Sequence, residues 1–147
     1  MESKLLALYQ MEKDCRESFV KGLSDNEFEN LLIEYKTCIE TITELNSMIL
    51  KIYTYNRDAD KLSNKIRWLV NKKAKKEFED AWNNVCCEVE KRIEELKDSY
   101  FWHMVDIEIE AFIAENPYHK KTSNYVRRIA LLNLAHNMAA DIYPFLE

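Results

Sequence analysis

The chain has 147 residues, 47% hydrophobic and 32% charged, which suits a single helical domain over 1–147 and is too apolar for a disordered chain. One glycine and two prolines are too few turn-formers for a β-rich fold, so long helices with few connections are expected. The net charge of −5 argues against a general nucleic-acid coat; no run of 18 apolar residues offers a membrane span, and the acidic start MESKLLALYQMEKDCRE is unlike a secretory leader, so a cytoplasmic protein with no membrane partner is expected.

Leu8, Met11, Cys15 and Phe19 recur at helical spacing and predict a first helix over about 3–21. Gly22 follows directly, where a left-handed C-terminal cap would need it. Ser24-Asp25-Asn26-Glu27 has the spacing of a capping box, in which the Ser hydroxyl and the Glu carboxylate each accept from the other residue's amide. From Phe28 to Ile52 apolar residues keep a 3–4 repeat, predicting a long helix to about Tyr55. The pattern fades over 56–60, where a turn or kink is expected.

Leu62, Ile66, Leu69 and Val70 restart the stripe, and Asn71 to Lys76 interrupt it as a charged helical turn or a loop. Phe78, Trp82, Val85, Val89, Ile93 and Leu96 hold a near-heptad repeat that runs on through Tyr100 to Phe112. Asn116-Pro117 ends it, because proline disfavours helical geometry in the residue before it. Thr122 or Ser123 caps a last helix over about 124–142, which Pro144 stops. The expected fold is all-α, an antiparallel bundle of four to five helices with two long ones.

Residues 101–114 are apolar around most of the helix, so the helix is either central or buried in an interface. Trp102, Ile109 and Ile113, with Glu108 set inside the greasy face, form the candidate interaction surface. A carboxylate in such a place is costly unless paired; a position at the rim of the greasy face or a pairing with Arg127 or Arg128 is expected, and an acid/base role or a specificity ion pair is the alternative. His103, Asp106 and Glu110 share a strip at i, i+3 and i+7 that could ligate a metal. A helical di-metal site needs a second Glu-x-x-His copy, which is missing, so a solvated polar face is expected, with no metal or cofactor.

A single glycine rules out Gly-rich phosphate loops and nucleophile elbows. Cys15, Cys38, Cys86 and Cys87 form no C-x-x-C pair and read as reduced thiols. Lys72, Lys73, Lys75 and Lys76 make one basic cluster, and Lys120, Lys121, Arg127 and Arg128 a second. Charged helix faces explain both; a phosphate or an acidic partner is the functional reading. The expected function is non-enzymatic: a small adaptor, regulator or inhibitor acting through protein–protein interaction, with a protein partner or a homodimer contact. Nucleic-acid association through the basic clusters comes second, and a helical enzyme or metalloprotein around Glu108 or His103 third.

Overall fold

The computed structural model describes residues 2–147, and among them every regular element is helical. Seven α-helices follow one another: α1 (Lys4–Gln10), α2 (Lys13–Lys21), α3 (Asp25–Ala59), α4 (Leu62–Val70), α5 (Lys72–Leu96), α6 (Tyr100–Glu115) and α7 (Asn124–Asn137). A π-helical turn, Met138–Ile142, and a 3-10 turn, Tyr143–Phe145, complete the chain. Among the described residues no helix is long and apolar enough to cross a membrane.

Seven helices stand where four or five were expected, because two predicted helices are each cut in two. The first breaks at Met11 and Glu12, both extended with ψ near 149° and 147°. Arg16 bridges this break: its Nε donates to the Leu8 carbonyl at 3.2 Å, which also accepts from the Met11 amide at 3.3 Å, and its Nη2 donates to the Tyr9 carbonyl at 3.3 Å. The second breaks before α6. Ser99 donates to the Leu96 carbonyl at 2.6 Å and accepts from the Trp102 amide at 3.3 Å, so one hydroxyl closes α5 and opens α6.

Residues 56–76 hold two breaks, at Asp60–Lys61 and at Asn71. Asn71 Oδ1 accepts from the Ala74 amide at 3.0 Å, so the lysine run begins α5 and is not a loop. The capping box is present in both directions, Ser24 N–H to Glu27 at 3.0 Å and Glu27 N–H to Ser24 Oγ at 3.2 Å. The Glu27 carboxyl lies below its ordinary range, chiefly because that Ser24 amide donates to it. Gly22 differs from expectation. It sits at φ −82° and ψ −6°, an ordinary right-handed conformation, and its amide closes α2 on the Ser18 carbonyl at 3.1 Å.

The helices gather into two compact units. One comprises the chain up to Thr43 together with Leu96–Glu147; the other is Glu44–Glu95. In the first, α6 packs on both α1 and α7, and α2 meets the C-terminal 3-10 turn. Leu5 and Leu8 of α1, Met104 and Val105 of α6 and Leu134 of α7 are fully buried. Each such aliphatic side chain contributes about 1.5–3 kcal/mol by leaving water. In the second unit Leu45, Ile49 and Val89 are buried, and Phe78 is the hub of a ring cluster. Its centroid lies 5.4 Å from Tyr55, 4.6 Å from Trp68 and 5.9 Å from Trp82.

Candidate functional site

The expected interaction surface on α6 is covered by the chain itself. Trp102 and Ile109 are 8% and 3% exposed, Glu108 is 9% exposed and Ile113 is half-buried. The reason is that α6 has two neighbours, α1 and α7, and a helix packed on two sides must be apolar around most of its girth. The width that suggested an outside partner is used inside one unit.

Glu108 is also paired differently from the expectation. It accepts from the Tyr9 hydroxyl of α1 and, at 2.7 Å, from Asn137 Nδ2 at the end of α7. Both donors are neutral, and neither is Arg127 or Arg128. Burial and the adjoining carboxylate push the Tyr9 phenol well above its usual range. Beside them opens a cleft of about 480 Å³, lined by Tyr9, Gln10, Arg16, Ile107, Asn137 and Asp141. The Arg16 guanidinium in its wall faces three backbone carbonyls, those of Leu8, Tyr9 and, at 3.5 Å, Asp141. With its donors so engaged, Arg16 acts as a strut between α2, α1 and the π-helical turn.

The polar strip of α6 is solvated. His103 and Asp106 are exposed, His103 Nε2 lies 3.4 Å from Gln10 Nε2, and Glu110 is ion-paired with Lys121. Among the described residues no three His, Cys, Asp or Glu side chains converge as metal ligands.

The two basic clusters fall in different units. Lys72, Lys73, Lys75 and Lys76 are all exposed on the first turns of α5, with Ala74 turned inward and Lys75 4.0 Å from Glu79. The second cluster is partly withdrawn. Lys120 and Lys121 are exposed and Arg128 is half-buried, but Arg127 is only 5% exposed, and its Nη1 donates to Asn124 at 3.2 Å. Arg127 and Val126 are both among the buried residues of α7.

The exposed apolar surface that sequence reasoning assigned to α6 lies instead on α4. Leu62, Ile66, Leu69 and Val70 are 70%, 56%, 71% and 87% exposed. At i, i+4, i+7 and i+8 they occupy one arc of about 100° on the helix. The helix is held from its other side, where Trp68 stacks on Phe78 and Asn64 Nδ2 donates to the Asp58 carbonyl at 2.9 Å. An aliphatic stripe of this spacing normally seeks a core, and a contiguous exposed patch marks an interaction site. One sequence signal bears on it: seven of the chain's 21 basic residues and none of its 26 acidic ones lie between positions 61 and 76. A stripe bordered so heavily by cations is a poor candidate for burial in its own fold.

The chain matches no protein-family model, no curated protein and no solved structure.

Proposed function

We propose that this chain is a non-enzymatic helical protein whose work is protein–protein interaction, as an adaptor, regulator or inhibitor, with α4 as its contact face. One observation carries the reading: four aliphatic side chains of a single short helix stand more than half exposed, side by side. Covering them would release ordered water at about 25 cal/mol per Å² of apolar surface, a driving force the isolated chain leaves unused. The polar features fit the same reading. Glu108, the one acidic side chain buried among those described, is engaged by Tyr9 and Asn137 as a tie between helices. The four free thiols suit a reducing, cytoplasmic setting.

The test is a comparison of cross-linked partners captured in cells by the natural chain and by Leu69→Glu. The expected result is a protein partner held by the natural chain and lost with the variant, while the helical circular dichroism of the two is the same. Identical partner sets would overturn α4 as the contact face.

A further inference from the structure

The geometry points to the kind of partner: we infer that α4 and the start of α5 dock into an apolar groove of a second protein whose rim is acidic. The inference rests on the reading of α4 as a protein-contact face and adds the chemistry of what it contacts.

Charge is the first argument. Positions 61–76 carry seven cations and no carboxylate, although the whole chain is acidic at −5. Lys61 reaches Asp58 at 3.2 Å and Lys75 reaches Glu79 at 4.0 Å just outside that stretch, and the others form an exposed basic border. Lys65 and Arg67 are exposed beside the aliphatic stripe, and Lys72, Lys73 and Lys76 follow on the outer side of α5. A counter-surface must therefore be apolar at its centre and negative around it. A second copy of this chain fits poorly. A twofold contact through α4 would set the same basic residues against one another, and like charges brought together at an interface cost affinity.

Register is the second argument. Leu62, Ile66 and Leu69 stand at i, i+4 and i+7, the anchor spacing with which a helix lies in a groove. A bilayer surface suits this face less well. Trp68, the side chain that would sit at a lipid interface, is turned inward onto Phe78, and the exposed stripe spans a helix of only nine residues. Nucleic acid would use the lysines and leave the aliphatic stripe in water.

The test uses the full chain and a defined probe, calcium-loaded calmodulin, whose grooves are methionine-lined and acidic. Phospholipid vesicles with and without phosphatidylserine and a 20-nucleotide single strand serve as parallel probes. Saturable binding to calmodulin is expected, weakened about tenfold or more by Ile66→Glu, by charge reversal of Lys72, Lys73, Lys75 and Lys76, and by raising salt. These positions are exposed, so circular dichroism should show every variant folded. Absence of calmodulin binding, or binding indifferent to Ile66→Glu, overturns the inference. So does a chain that ignores calmodulin and floats with phosphatidylserine vesicles or retards the oligonucleotide, which moves the occupant to lipid or nucleic acid. If calmodulin fails while Leu69→Glu still abolishes partner capture in cells, the acidic groove is wrong and the contact face stands. If both fail, the contact face itself is wrong.

Discussion

The hydroxyl of Tyr9 donates to the carboxylate of Glu108, a hydrogen bond between α1 and α6 across 99 positions of sequence. Asn137 donates to the same oxygen from the end of α7, so one carboxylate ties three helices at the point where the π-helical turn begins. Replacing Glu108 by leucine keeps the volume and removes the acceptor, leaving the Tyr9 hydroxyl and the Asn137 amide without it. The expected loss is about 1–3 kcal/mol, because desolvated donors without an acceptor cost more than a hydrogen bond gains. Urea unfolding of Glu108→Leu and Tyr9→Phe measures it, with the Tyr9 variant losing less because it removes one donor and strands none. Stability unchanged in Glu108→Leu would show that the carboxylate does not tie the helices.

Stability should fall at alkaline pH, and Cys38 should set where the fall begins. Burial raises its thiol from 9.0 to about 12. The folded chain therefore holds a proton that the unfolded chain releases from about pH 9 upward. Its contribution is intact below that point and declines toward pH 12, at no more than about 1.4 kcal/mol per pH unit. Tyr100, raised by burial from 10.0 to about 12, adds a fall of the same sign starting one pH unit later. Denaturation series from pH 7 to 11 on the natural chain and on Cys38→Val should give a shallower decline for the variant between pH 9 and 10. Parallel curves would mean that Cys38 titrates as freely in the fold as out of it.

Two leucines at helical spacing should respond oppositely to truncation. Leu134 of α7 is fully buried, and Leu134→Ala should cost about 2–5 kcal/mol through lost transfer energy and a residual cavity. Leu69 of α4 is 71% exposed, so Leu69→Ala should stay within about 0.5 kcal/mol of the natural chain. Thermal or urea unfolding of the two variants reads the difference directly. A loss above about 2 kcal/mol at Leu69 would place α4 with its stripe inward.

The helical character and several helix ends were readable without coordinates, because they depend on neighbours in the chain. The reciprocal bonds of Ser24 and Glu27 span three residues, the Ser123 hydroxyl meets the Val126 amide at 3.2 Å, and Pro117 closes α6 by its own ring. Two breaks are not legible in the sequence for a related reason. Arg16 reaches back eight residues to Leu8, and Ser99 sits inside a run whose apolar repeat continues unbroken on both sides.

Which way each apolar stripe faces was decided only by the tertiary fold. Leu62, Ile66 and Leu69 have the same periodicity as Leu131, Leu134 and Met138, yet the first set stands in water and the second is buried. Periodicity states that a helix has an apolar side; whether another helix arrives to cover it depends on segments far away in the chain. Glu108 obeys the same logic, since its donors come from 99 residues before it and 29 after. Local bonds write the helices, and long-range packing decides which greasy face is covered and which stays in water.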